Sequence, residues 1–178
     1  MIGPLACPAV SSSIEGCPSA DKDQPTRLLV LGNEMLADDA FGLLVAHRVE
    51  QLHPPGVEVV CTAESGFHLL DYVQNVTHLI VVNTLETGRA DPGALYILRE
   101  GDVQSAPGGS PHFIGLFETL ALGRKLGLSV PDHVTILAVE PADCLTVGGP
   151  IHPAVEAAIP RVVRLVREIV QHPSGRDL

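Results

Sequence analysis

The chain has 178 residues, enough for one domain with a proper core, and shows no internal repeat. Its formal charge of −10 argues against nucleic acid and anionic membrane as partners, because both would repel it. No apolar run approaches the roughly 18 residues that span a bilayer, and four cysteines without a CxxC pair indicate neither a disulfide framework nor a zinc site.

Residues 1–25 are rich in Ser, Pro and Gly, have no periodicity, and read as a disordered extension. They lack the basic and apolar regions of a secretory signal, so the cytoplasm is the expected compartment. Cys7 and Cys17 within them read as incidental thiols. A single domain is expected over residues 26–172, followed by a short tail at 173–178.

The domain is organised around Arg27–Gly42. Leu28-Leu29-Val30-Leu31, closed by Gly32, reads as a strand buried on both faces. Asp38 and Asp39 follow, and Phe41, Leu44, Val45 and Val49 then recur at helical spacing. Carboxylates at a helix start are favoured by its unpaired N–H groups and dipole, so one of the two acids is expected as an N-cap. The other, left ionised in the loop beyond a strand end, can serve as a cation ligand or general base.

Pro54-Pro55-Gly56 ends the first helix. Val57–Thr62 reads as a strand in which Cys61 is a small core residue, and Phe67–Gln74 as a short helix. His78–Thr84 is a continuous apolar run and the expected central strand. Ala94–Arg99 reads as a strand joined to it by a loop too short for a helical crossover, so it is expected to be antiparallel or at an edge. Ser110 and Pro111 suit the start of a helix running to Lys125. Val134–Val139 is the last strand, Glu140–Ile151 a loop, and Pro153–Gln171 the closing helix, with Pro160 expected to kink or split it. Alternating strands and helices predict an α/β fold with a mostly parallel five-stranded sheet and helices on both faces.

Such a sheet brings three polar positions to one edge: Asp39 after the first strand, Asn83 closing the central strand, and His112 in the first turn of a helix. The positive helix end there favours a neutral imidazole, the metal-binding form. A carboxylate with an imidazole suits Ni²⁺, Zn²⁺ or Co²⁺. Other chemistries fit less well. A dinucleotide site would need G-x-G-x-x-G after the first strand, and a serine hydrolase would need G-x-S-x-G; neither is present. A cysteine peptidase would use Cys61 or, in a loop, Cys144 with one of eight histidines.

The order of LVLGN at Leu29–Asn33, LADDAFG at Leu36–Gly42, VVNTLETG at Val81–Gly88, DPGALYILR at Asp91–Arg99, SPH at Ser110–His112 and VEP at Val139–Pro141 resembles the hydrogenase maturation proteases. These endopeptidases remove the C-terminal extension from the large-subunit precursor of nickel–iron hydrogenase. The resemblance covers about residues 27–170. It implies a three-layer α/β/α sandwich around a twisted sheet. It also implies nickel-dependent cleavage, with Asp39 and His112 at two metal-binding positions and the nickel presented by the substrate; other divalent ions can substitute. Asn83 stands where the family has a metal-binding aspartate. An amide is neutral and a poorer donor, so Asp38, Glu64 and Glu86 are candidates to compensate. The departure also opens the reading of a cleavage-deficient, chaperone-like relative that binds the precursor. Glu140-Pro141 and Gly148 read as loop architecture.

Overall fold

The computed structural model describes residues 25–99 and 115–172. Five strands form one sheet: β1 (Thr26–Leu31), β2 (Val57–Thr62), β3 (His78–Thr84), β4 (Leu95–Arg99) and β5 (His133–Val139), in the order β2-β1-β3-β5-β4. β1, β2, β3 and β5 are parallel, and β4 runs antiparallel to β5 at the edge, as the short preceding loop requires.

The helices are α1 (Phe41–Leu52), α2 (Leu70–Val73), α3 (Leu116–Lys125) and α4 (Pro153–Gln171). Along β1 and β3 every second side chain faces the same way. Leu28, Val30, Ile80 and Val82 pack with Phe41, Val45 and Val49 of α1 and Val155, Val162 and Val166 of α4. Leu29, Leu31, Leu79 and Val81 pack on the other face with Leu69, Val73 of α2, and Leu116 and Leu120 of α3. The result is an α/β/α sandwich. All seven residues of β3 are buried, which is why this strand reads in sequence as a continuous apolar run rather than an alternation. Each Leu- or Val-sized side chain so buried contributes about 1.5–3 kcal/mol.

The chain runs from β1 to β2 on one side and then crosses to β3 on the other. The strand order therefore reverses between β1 and β3, the position beyond whose carboxyl ends open α/β sheets bind their ligands in a crevice.

Two expectations are corrected. Neither Asp38 nor Asp39 caps α1: both lie within a 3₁₀ turn, Asp38–Ala40, and no side-chain cap bond forms at its start or at the start of α1. α4 runs from Pro153 to Gln171 without a break, despite Pro160. Pro160 is exposed, so water can serve the Glu156 carbonyl that its missing N–H leaves. α3 starts at Leu116, capped by Gly115, so the expected start at Ser110 lies outside the described residues.

Candidate active site at the crevice between β1 and β3

Gly32 makes the site possible. A Cβ there would lie 2.4 Å from the Asp39 carbonyl oxygen, so only glycine lets the acid pair fold back over the end of β1. The Asn33 side chain accepts from the Met35 N–H at 2.9 Å and turns the loop.

The two acids then part company. Asp38 is wholly buried. Its Oδ2 accepts from the N–H groups of Ala142 (2.7 Å) and Asp143 (2.9 Å), and its Oδ1 from that of His152 (2.6 Å). Its own N–H donates to the Asp143 carbonyl at 2.8 Å. Asp38 is thus a strut for the loop between β5 and α4.

Asp39 is also buried, but its carboxylate lies between the ends of β1 and β3. Oδ2 accepts the Asn33 N–H at 2.8 Å, and Oδ1 accepts the Thr84 hydroxyl at 3.1 Å. Two donors on separate strands' ends fix the orientation of the anion. Ligating carboxylates are characteristically held this way.

Asn83 and Thr84 end β3 and point to opposite faces. Asn83 continues the Leu79 and Val81 face, on the α3 side; Thr84 turns toward Asp39. The Asn83 side chain is wholly buried, and its Oδ1 accepts the Thr84 N–H at 2.7 Å. Asp39 therefore meets the end of β3 through the Thr84 hydroxyl. His112 lies outside the described residues. Among the described residues no group of three His, Cys, Asp or Glu side chains could hold a metal. What they offer is one carboxylate and one neutral amide.

Sequence reasoning missed Thr84, which follows Asn83 with no motif to mark it. It also missed the partner of Cys144, whose thiol donates to the Thr84 hydroxyl at 3.6 Å. Burial pushes this thiol up to about 11, against the lowering effect of the Thr84 bond and with the negative fields of Asp39, Asp38 and Glu86. At neutral pH such a thiol keeps its proton and is a poor nucleophile. Glu64 and Glu86 are exposed. Glu140, at the end of β5, is buried as well. It accepts from the N–H groups of Thr87 and Gly88 and from the hydroxyls of Thr87 and Tyr96, at 2.6–2.9 Å. It ties the loop after β3 to β4, the architectural role expected of it.

The apolar groove lined by Val49, Leu52, Val163, Val166 and Val170 lies at the far end of α1 from Asp39.

The architecture is that of a known class of peptidase. The solved hydrogenase-maturating endopeptidase HybD from Escherichia coli matches it with a TM-score of 0.73 at 30% identity, over 85% of this chain and 94% of that one. The Hydrogenase 2 maturation protease of Escherichia coli K12 is 30% identical over 151 residues, 80% of this chain and 92% of that protein. The hydrogenase expression/formation protein HupD of Rhodobacter capsulatus is 30% identical over 154 residues, 82% of this chain and 72% of that one. The family model described as hydrogenase maturation protease matches residues 43–169, a span that begins just after the acid pair and contains Asn83 and His112. The chain belongs to the hydrogenase maturation protease family. No helix among the described residues is long and apolar enough to cross a membrane.

Proposed function

We propose that this protein is an endopeptidase that removes the C-terminal extension of a nickel–iron hydrogenase large-subunit precursor, and that it recognises the nickel the precursor carries. The observation that carries this reading is the Asp39 carboxylate, buried at the β1–β3 crevice and held from both sides by the Asn33 N–H and the Thr84 hydroxyl. Asp39, Asn83 and His112 are the residues that would meet the substrate's metal. Nickel so bound supplies Lewis acidity toward the scissile carbonyl or a bound water. Asp39 supplies fixed negative charge, and burial of its surroundings strengthens that charge by keeping water away. Cys144, held as a neutral thiol, takes no covalent part.

Incubation with nickel-loaded precursor tests this. A shortened large subunit is expected, and nickel-free precursor should stay intact.

Asn83 favours one second reading: a cleavage-deficient relative that holds the precursor without cutting it. Its amide adds no charge, and its oxygen is already engaged by the Thr84 N–H. Binding without any product from the natural chain, with product from Asn83→Asp, would favour this reading over the first.

A further inference from the structure

Beside the crevice, three large apolar side chains stand in solvent: Leu145 is 85% exposed, Val147 69% and Met35 61%. They sit on two loops that main-chain bonds join into one surface. Leu36 and Val147 form an antiparallel bridge. The Gly148 N–H donates to the Met35 carbonyl at 2.8 Å, and the Ala37 N–H to that of Thr146 at 3.1 Å.

This surface is rigid by construction. The three N–H bonds to Asp38 fix both ends of the 142–152 loop. The Asp143 carboxylate accepts from the N–H groups of Leu145 (2.8 Å) and Thr146 (3.0 Å) and fixes its turn. Loops held this firmly have no need to show Leu and Val to water for the sake of the fold. A preorganised apolar strip instead lowers the ordering cost of binding.

The strip begins at the chemistry. Cys144, next to Leu145, touches Thr84, which touches Asp39. Its charge is one-sided. Exposed Glu34 adjoins Met35, Glu86 is near enough to act on the Cys144 thiol, and residues 33–40, 83–88 and 140–151 contain no Lys or Arg.

We propose that Met35, Leu145 and Val147 form the docking strip for the hydrogenase precursor, taking an apolar, positively charged segment next to the scissile bond. This assignment rests on the endopeptidase reading above and adds to it where the substrate lies. Asp38 then acts at a distance, as the residue that holds the strip in shape.

The test is the affinity of the full chain for nickel-loaded precursor, with KM and kcat for its cleavage. Met35→Gln/Leu145→Asn/Val147→Thr is compared with the natural chain, and Leu145→Asn serves as the single-site version. All three side chains are exposed, so melting temperatures should agree. The triple variant is expected to raise Kd and KM at least ten-fold with kcat changed less than two-fold, and Glu34→Gln/Glu86→Gln to weaken binding and its salt dependence. If the natural chain binds and cleaves precursor and the triple variant matches it, the docking assignment is overturned while the endopeptidase reading stands. If the natural chain does not bind precursor at all, both fall. If it sediments as a dimer that the triple variant dissociates, the strip serves a second copy of the chain and the assignment is overturned.

Discussion

The Thr84 hydroxyl donates to Asp39 Oδ1 across 3.1 Å, from a strand whose neighbouring Asn83 faces the other way. The acid after β1 is therefore aimed by the end of β3. Removing an outer partner of a ligating carboxylate costs about 10–100-fold in metal affinity. Thr84→Val should weaken binding of nickel-loaded precursor by that amount in calorimetric titration, and Thr84→Ser should restore it. Equal affinities for Thr84→Val and the natural chain would show that the hydroxyl does not orient Asp39.

Asp38 carries a different load. Three main-chain N–H groups share its buried carboxylate, and hydrogen bonds to a charged group contribute about 1.5–3 kcal/mol each. Asp38→Ala should lower stability by at least about 3 kcal/mol, allowing for non-additivity. Urea unfolding measures it; a loss below about 1 kcal/mol would contradict the strut.

The sequence made the sheet legible because its strands carry unambiguous marks. The β2 run lies between Gly56 and the Glu64-Ser65-Gly66 turn, β3 is apolar through Val82, and Pro153 sets the start of α4. The acid pair was only half legible. Capping rules see an Asp at a helix start, but a cap needs its oxygen to turn back on its own helix. Here Gly32 lets the pair fold over β1 instead, and the partners of Asp38 lie 104 to 114 residues away. No local pattern encodes such contacts. Pro160 misled for a similar reason: the rule is written for the helix, and its cost depends on which face meets water. Asp39 and Asn83 stand out in the sequence because strand ends on one sheet edge lie near one another, whereas Thr84 was visible only once the strand's two faces were assigned.

Acid should weaken the fold through two groups. Burial would raise the Glu140 carboxyl, but the bonds from Thr87, Tyr96 and Gly88 outweigh it and hold the group below its ordinary value of 4.5. Burial, and then the nearby His133, hold His78 below its ordinary 6.5. His78 is packed edge-on to His133, and its Nδ1 has no partner among the described residues. Each group's folded-state value is depressed, so each contributes stability above its unfolded value and loses it as pH falls through the folded one. Chemical denaturation should show stability falling in two steps, below pH 6.5 and then below pH 4.5. His78→Phe should flatten the first and Glu140→Gln the second. A profile unchanged in both variants would contradict these assignments.

Cys144 should be a slow thiol. With its proton held to about pH 11, carbamidomethylation by iodoacetamide at pH 8 should run at least ten-fold slower than for a thiol of ordinary acidity, read by peptide mass mapping. Cys144→Ala should retain precursor cleavage within a few-fold. Rapid alkylation together with loss of cleavage in Cys144→Ala would revive a cysteine mechanism.

Cleavage should depend on Asp39, the acid held between the ends of β1 and β3. The direct measurement is cleavage of nickel-loaded hydrogenase large-subunit precursor by the natural chain and by Asp39→Asn, with melting curves for both. The natural chain should yield the shortened subunit, and Asp39→Asn should be at least 100-fold slower while still folded. An Asp39→Asn chain that cleaves at the natural rate would contradict the account.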